Sequence, residues 1–219
     1  MTVNVLQHRE IARLGQALAE REPATVPLEP DEHPLRAAVA LVLRPGEAGE
    51  LELLLIKRAD YEGDPWSGHV ALPGGRQEPD DLSLERTAIR ETWEETAIDI
   101  EREGAIVGVL DEVSPRTPTV RRVVVRPFVA AVVPEVTIVE SPEVAAAFWV
   151  PLSALRETAA WISAEVVAHG QPLTVPAFTH GEYVVWGLTE RILRGFLDLL
   201  DREAGAGRRS AGAEPDRLA

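Results

Sequence analysis

The stretch RETWEE, at residues 90–95, is the most informative part of the sequence because it sets three glutamates at helical spacing. At about 100° per residue, a helix gathers Glu91, Glu94 and Glu95 within an arc of about 100° on one face. Like charges three or four residues apart destabilise an isolated helix by about 0.2–0.5 kcal/mol per pair, so a neutralising cation is expected. Carboxylate oxygens suit Mg2+ or Mn2+ rather than zinc. A solvated acidic face on a surface helix is the alternative interpretation of so short a motif.

The segment VALPGGRQEPDD, at residues 70–81, precedes this helix and favours the metal-site interpretation. It consists of a short apolar strand, a Gly-Gly turn and an acidic loop. Because glycine allows close approaches that a Cβ would block, the backbone of Gly74 and Gly75 can lie against a metal or a phosphate. Ser83 or Asp81 is predicted to cap the start of the helix. Strand, turn, capped helix and clustered glutamates together predict a functional site.

With these elements in place, the sequence resembles the Nudix hydrolases, whose signature is a Gly, a loop, a Glu, seven residues and then R-E-U-x-E-E-x-G-U, with U apolar. The match is Gly75 followed by residues 90–98. The loop from Gly75 to Arg90 is one residue longer than the common pattern, and no glutamate stands at the usual intermediate position. Ala97 replaces the usual glycine. Because an alanine in a left-handed cap costs about 1 kcal/mol or more, the helix is expected to end differently.

The resemblance implies an α/β fold, a Nudix-like α/β/α sandwich with a mixed central sheet, plus an N-terminal helix and a C-terminal helix. It assigns residues 35–203 to the hydrolase domain. Residues 1–34 are expected to form a helix and a proline-rich lead-in, and residues 204–219 a disordered tail. The implied chemistry is hydrolysis of a phosphoric anhydride, because a bound cation withdraws charge from phosphate oxygens and lowers the pKa of bound water.

The longer loop resembles that of the coenzyme A pyrophosphatase branch of the family, with the pattern Gly-Gly-Arg-x-Glu-Pro-x-Asp-x-Ser. Further matches extend the resemblance over about residues 35–200, at residues 54–59, 126–129 and 185–193. The branch usually carries an arginine and a glycine at set distances after the segment that contains Arg58, and residues 64–69 have different spacing without that arginine. The alternatives are hydrolysis of ADP-ribose or another nucleoside diphosphate derivative, and a nucleotide-binding module without catalysis.

The three glutamates are predicted to bind the metal and to take part in catalysis. We assign Glu91 and Glu95 as the principal Mg2+ ligands, with Glu94 as a third ligand or as the proton acceptor. The backbone of Gly75 adjoins the metal. Arg90 supports catalysis by pairing with Glu94 or by holding a neighbouring glutamate in its ligand rotamer. The catalytic set is therefore Glu94, Glu95 and Arg90.

In the family a glutamate outside the motif can act as general base, and Glu140 or Glu143 is the candidate here. A plain surface carboxylate is the alternative for each. His69, next to the glycine turn, is predicted to be structural rather than catalytic.

Substrate contacts are predicted from arginines and one tryptophan. Arg58 and Arg76, together with Arg121 and Arg122, can bind phosphate oxygens with bidentate geometry, with a surface charge as the alternative for each. Trp66 is predicted either to stack on an adenine or to fill the core.

Composition limits the classes of partner. The 219 residues suffice for one sizeable core, and the absence of cysteine excludes disulfides and thiolate chemistry. A net charge of −14 argues against nucleic acid and leaves a small-molecule nucleoside diphosphate as the expected partner. No apolar run is long enough to cross a membrane, and the start of the chain lacks an export pattern, so a cytoplasmic location is expected. A homodimer remains open.

Apolar periodicity and turn residues predict the remaining elements. The opposite side of the glutamate helix is expected to bury Ile89 and Trp93. Helices are predicted over residues 5–20, near residues 152–156 and over residues 184–203. Strands are predicted over residues 35–43, 51–58, 103–110, 120–133, 136–140 and 147–150, with a further hairpin of residues 164–168 and 173–178.

Overall fold

A mixed β-sheet of seven strands forms the centre of the molecule in the part of the chain that the structure describes. The structure is a computed structural model and describes residues 5–47, 49–61, 66–115, 122–168 and 171–211. The strands of this sheet are β1 (Leu35–Pro45), β2 (Leu51–Arg58), β3 (Val70–Ala71), β4 (Gly74–Arg76), β5 (Gly104–Val109), β6 (Val123–Val132) and β7 (Val144–Pro151).

Strand β1 organises this sheet. Its partner on one side is β6, which runs parallel to it, and all the other pairings in the sheet are antiparallel. On its other side, the carboxyl-terminal part of β1 pairs with β2, and the amino-terminal part pairs with β4. The glycine-containing strand β4 therefore lies within the sheet, beside residues 37–39.

Helices cover both faces of the sheet. The glutamate helix α2 packs on one face, and α1 and α5 share the hydrophobic core of the other face. A second, three-stranded antiparallel sheet of β8, β9 and β10 also joins the core on the α5 side. The arrangement confirms the predicted α/β/α fold with its N-terminal and C-terminal helices. These elements are α1 (Arg9–Ala19), α2 (Leu84–Thr96), α3 (Ile100–Glu103), α4 (Leu152–Arg156), β8 (Trp161–Ala168), β9 (Gln171–His180), β10 (Tyr183–Trp186) and α5 (Leu188–Ala211).

Of the two predictions about the ends of α2, the one for its start is confirmed and the one for its end is wrong. Ser83 caps the start, since its side-chain oxygen accepts a hydrogen bond from the backbone N–H of Arg86. Ala97 ends the helix in the left-handed conformation, with φ 58°. The prediction that alanine would force a different ending is therefore wrong. The backbone N–H of Ala97 donates to the carbonyl of Trp93, so the ordinary left-handed cap forms in spite of the Cβ.

One predicted core residue of α2 is exposed. Ile89 is buried, as predicted, but the side chain of Trp93 is on the surface with 57% of the residue exposed. The face that packs on β1 carries threonines instead. Thr92 and Thr96 are buried because their hydroxyls donate to the carbonyls of Ala88 and Thr92, 2.7 and 2.6 Å away.

Most other element predictions are confirmed, with three exceptions: one predicted strand that does not form, and both predicted ends of the last helix. Residues 136–140 are not a strand, because their backbone pairs with the end of α2: the N–H of Val139 donates to the carbonyl of Thr96. Residues 184–186 belong to strand β10 instead of the last helix, which begins after Gly187 at φ +73° and runs to Ala211. The helix therefore passes the predicted boundary at residue 203, and residues 212–219 lie outside the described residues.

Several polar contacts attach the lead-in of residues 20–34, and the most buried of them involves the carboxylate of Glu112. Glu112 accepts hydrogen bonds from Arg36 and Arg126 at one oxygen, at 2.5 and 2.6 Å, and from the N–H of Val26 at the other, at 3.1 Å. Among the described residues, no helix combines the length and apolarity that a bilayer crossing requires.

Candidate active site

Two glycines allow close contacts of β4, Gly75 with the glutamate helix and Gly74 with strand β1. A Cβ on Gly75 would lie 2.3 Å from Oε1 of Glu91, and a Cβ on Gly74 would lie 2.3 Å from the carbonyl oxygen of Ala38. The backbone contact at Gly74 excludes a side chain, and a side chain at Gly75 would displace the Glu91 carboxylate. Gly74 also has φ +153°, which disfavours other residues. The Gly-Gly strand is therefore the seat into which the Glu91 carboxylate fits.

Glu95 is the most buried carboxylate of the cluster, with 4% of the residue exposed. Its Oε2 accepts a hydrogen bond from the backbone N–H of Gly74 at 2.9 Å, and its Oε1 lies 3.9 Å from Nη1 of Arg58. Burial raises the pKa of Glu95 to about 8, and the charges of Glu91 and Glu143 add to the rise against the opposing effects of Gly74 and Arg58.

Glu91 lies beside Glu95, and its ionised form is also destabilised. Burial raises its pKa, the neighbouring guanidinium of Arg90 opposes the rise, and the charges of Glu94 and Glu143 contribute to it. The negative charges of Glu91 and Glu95 are therefore only partly compensated by their neighbours. A cation bound between them would stabilise both carboxylates.

Arg90 links the glutamates to the preceding loop. Its Nε and Nη2 bind the two carboxylate oxygens of Asp81 at 3.1 and 2.9 Å. Its Nη1 lies 2.8 Å from Oε2 of Glu94 and 3.1 Å from Oε1 of Glu91. The guanidinium of Arg90 holds the pKa of the Asp81 carboxyl well below its usual range. The geometry agrees with the supporting role assigned to Arg90, which places the glutamates.

Asp81 is the residue that the sequence analysis missed, because it treated this aspartate only as a possible helix cap. It stands six residues after Gly75, and eight residues separate it from Arg90, one more than the seven in the signature. The extra residue in the loop thus falls between the acid and Arg90. A carboxylate near the expected glutamate position was the available signal for this pair.

The predicted metal ligands are only partly brought together. Glu91, Glu95 and the backbone of Gly75 adjoin one another, but the side chain of Glu94 is 47% exposed and turns to Arg90. Within the described ranges, no group of three His, Cys, Asp or Glu side chains converges closely enough to enclose an ion. The pair Glu91 and Glu95 still fits Mg2+, which usually keeps several waters and takes one or two protein carboxylates beside substrate phosphates.

The predicted substrate residues lie at different distances from this cluster. Arg58 adjoins Glu95, as described above. Arg76 is exposed and pairs with Ala37 in the sheet, which places it on the face opposite to that of Gly75. Arg122 is held by both carboxylate oxygens of Glu32, at 2.9 and 2.7 Å, and Arg121 lies outside the described residues.

Trp66 and His69, whose roles were predicted from the sequence, lie in the segment before β3. Trp66 is 40% exposed, so it does not fill the core. The His69 ring lies against the Trp186 ring, with 4.5 Å between centroids, and the carbonyl of His69 accepts from the N–H of Arg58. These contacts give His69 a packing role, in agreement with its predicted structural character.

Geometry distinguishes the two candidates for an outside base. Glu143 is exposed and close enough to raise the pKa of both Glu91 and Glu95. Its carbonyl accepts from the N–H of Ala59, which fixes the segment beside the end of β2. Glu140 instead accepts a hydrogen bond from the N–H of Ala147 at 2.8 Å.

Comparison with known proteins gives consistent results. The NUDIX domain family matches residues 33–170. A Nudix hydrolase of Yersinia pestis, NudL, is 34% identical over 162 residues, which are 73% of this chain and 76% of the relative. An uncharacterized protein of Schizosaccharomyces pombe is 39% identical over 113 residues, 44% of this chain, and the match spans only 33% of that relative. The crystal structure of a MutT/nudix family protein from Enterococcus faecalis has a TM-score of 0.52 at 22% identity, covering 90% of this chain and 73% of that one.

Proposed function

This chain belongs to the Nudix family and is a hydrolase of phosphoric anhydride bonds, and we propose that it cleaves the diphosphate of coenzyme A or an acyl derivative with Mg2+ or Mn2+ as cofactor. The reaction splits the pyrophosphate bond of a nucleoside diphosphate linked to another moiety. Its products are a phosphopantetheine and an adenosine bisphosphate.

One observation carries this proposal: the burial of Glu91 and Glu95 side by side against the Gly-Gly strand. Burial without a cation is unfavourable for both, as their raised pKa values indicate. A divalent cation held there supplies charge withdrawal from the phosphate oxygens and a water of lowered pKa. The donor set is made of hard oxygen ligands, which match Mg2+ and Mn2+.

The remaining residues position this pair and handle the proton. The backbone N–H of Gly74 fixes one oxygen of Glu95 and leaves the other directed toward Arg58. Arg90, anchored by Asp81, restricts the rotamers of Glu91 and Glu94. Glu143 is the candidate that we favour as acceptor of the proton from the attacking water, because it faces both buried glutamates and has solvent access. Glu94 remains the candidate within the motif.

Coenzyme A is proposed as the substrate from sequence resemblance. The loop pattern at residues 74–83 and the three outside segments carry that resemblance. Arg58 is the proposed phosphate contact nearest the glutamates, and Trp66 is proposed as a further substrate contact. Arg76 is not retained, because its side chain lies on the opposite face of the sheet. In this proposal, these contacts determine which substrate binds, whereas Glu91 and Glu95 hold the metal needed for bond cleavage.

The proposal is tested by a cleavage assay across coenzyme A, ADP-ribose and dinucleotides, with and without Mg2+. We expect Mg2+-dependent cleavage with the highest kcat/KM on coenzyme A or an acyl derivative. Preference for ADP-ribose or a dinucleotide would contradict the proposal of coenzyme A as substrate, but it would agree with hydrolysis of a diphosphate. Binding without cleavage of any of them would reject the enzyme assignment.

The glutamate pair is tested in the same assay. We expect Glu95→Gln to lower turnover by orders of magnitude, because the variant keeps the acceptor for Gly74 but loses the charge that holds the cation. Glu85→Gln, an exposed position on the same helix, is the matched control and should retain turnover. Circular dichroism checks that both variants are folded, and near-normal turnover of Glu95→Gln would contradict the assignment.

A further inference from the structure

A cavity lies between α5 and the end of the sheet, and it has a volume of about 100 Å3. Leu110, Ile192 and Leu199 line it, and all three belong to the hydrophobic core on the α5 side. Val113 and Pro127 complete an apolar wall. Core side chains therefore form its floor, whereas Asp111, Arg191, Gly195 and Arg202 at its rim are exposed.

The cavity is separate from the glutamate site because the sheet lies between them. Pro127, which lines the cavity, is the strand partner of Val39. Gly75, which seats Glu91, is the partner of Ala38. Since neighbouring residues of a strand point to opposite faces, the two sites lie on opposite sides of the sheet.

The polar part of the lining carries an excess of positive charge. Arg21, Arg191 and Arg202 line the cavity together with a single acid, Asp111. Asp111 is paired with Arg21, so it does not neutralise the other two. In a chain with net charge −14, a concave surface with three arginines and one aspartate is an exception that favours anions.

Local contacts hold two of these guanidinium groups in place and leave donors unused. Nη1 of Arg191 donates to the carbonyl of Ser114 at 2.8 Å. Nε of Arg202 donates to the carbonyl of Asp198 at 3.2 Å. Because a guanidinium has five N–H donors in a fixed fork, such anchoring still allows a bidentate contact with an oxyanion.

A glycine in the middle of α5 opens the cavity. Gly195 lines it, and a Cβ built at this position would meet no atom within 4 Å. Glycine is among the least favourable residues inside a helix, so packing and helix propensity would both accept a larger residue here. Gly195 is exposed, and its lack of a side chain keeps this part of the rim open.

We propose that this cavity binds a small organic anion, with a carboxylate on the arginines and a short apolar body against Leu110, Ile192 and Leu199. The combination of an apolar wall with a few convergent charged groups is typical of small-molecule sites. The volume suits a body of a few carbon atoms, below the roughly 150 Å3 of an apolar cavity that accepts benzene.

Titration of the full chain with butyrate, followed by amide chemical shifts, tests this proposal. We expect saturable shifts at the amides of Gly195 and Leu110. Arg191→Gln should weaken butyrate binding by about tenfold, the order expected for a lost charge-assisted contact. Gly195→Leu should abolish binding by filling the cavity, whereas Gly195→Ala controls for helix propensity and should remain folded and bind within a few-fold of the parent.

Three controls make the outcome decisive. Arg102→Gln removes an arginine that is 85% exposed on α3, and it should leave the affinity unchanged. Butyramide, which has the same shape without charge, should not bind, and inorganic phosphate should bind more weakly than butyrate. The proposal is overturned if butyrate causes no saturable shifts, if Arg191→Gln binds like the parent, or if butyramide or phosphate binds as tightly as butyrate.

Discussion

At the scale of single residues, Arg90 determines where the glutamates stand. Its planar guanidinium uses two nitrogens for Asp81 and directs the third toward Glu91 and Glu94. A lysine has no such fork and would not reproduce the arrangement. The helical spacing of the glutamates predicted their common face, but it could not predict that Asp81 anchors them, because that contact crosses a loop.

The Asp81–Arg90 pair has a pH-dependent effect on stability. We expect Asp81→Asn to lower the free energy of unfolding at pH 7 by about 2–3 kcal/mol, because it leaves a partly buried guanidinium without its main partner. The folded-state pKa of Asp81 is below its unfolded value. Its contribution is therefore fully present above the unfolded pKa and is lost as the pH falls through the folded pKa.

Urea unfolding between about pH 2 and pH 7 measures this effect. The deficit of Asp81→Asn should shrink as the pH falls below about 4, the ordinary pKa of aspartate. Asp80→Asn changes the neighbouring, exposed aspartate and should show no such deficit. A deficit that stays constant over the whole range would refute the ion-pair explanation.

Among the elements, α2 forms where the sequence predicted it, but its buried face carries other residues than expected. Helical spacing predicted the helix, and local chemistry limited its cap to Ser83 or Asp81, of which the structure shows Ser83. The spacing misplaced Trp93, because Thr92 and Thr96 satisfy their own hydroxyls within the helix and can be buried in place of an aromatic residue. Glu95 was expected on one acidic face with Glu91 and Glu94, but it is buried against the Gly-Gly strand, where its carboxylate accepts from the N–H of Gly74.

The left-handed ending of α2 makes a specific substitution favourable. We expect Ala97→Gly to raise the free energy of unfolding by about 1 kcal/mol, because it removes the clash of a Cβ at positive φ. Ala97 is exposed, so no packing is lost. Ala12→Gly, at an exposed position inside α1, is the reverse control and should destabilise by about 1 kcal/mol. Thermal unfolding compares the two, and destabilisation by Ala97→Gly would contradict the strain.

At the scale of the whole molecule, the sheet separates a catalytic face from a second face that carries α1, α5 and the cavity. The resemblance and the strand periodicity predicted the layers. They could not predict that residues 184–186 form a strand, because the apolar run through Val184 and Val185 continues into the pattern of α5 and only the turn at Gly187 divides them. The attachment of the lead-in was also missed, since Glu112 and its partners are far apart in sequence.

Glu112 ties the lead-in to the sheet. Burial alone would raise its pKa, but the N–H of Val26 and the guanidinium groups of Arg36 and Arg126 outweigh it and hold the pKa below its usual value. We expect Glu112→Gln to lower the free energy of unfolding by about 2–3 kcal/mol, because two arginines lose their shared anion.

The same substitution should release the lead-in locally. Hydrogen exchange at the amide of Val26 should accelerate in Glu112→Gln, because the neutral side chain loses its charged bonds to Arg36 and Arg126 and is no longer held beside that N–H. Asp31→Asn, on the exposed part of the same segment, should leave the exchange rate unchanged. Unchanged protection in Glu112→Gln would show that other contacts hold the segment.

The most direct test of the central claim is Mn2+ binding to the substrate-free protein, measured by electron paramagnetic resonance. We expect a bound ion whose affinity falls in both Glu91→Gln and Glu95→Gln by at least the roughly 10–100-fold typical for loss of a supporting contact. Glu85→Gln should bind like the parent protein. Equal Mn2+ affinity in the parent and in both glutamate variants would contradict the account.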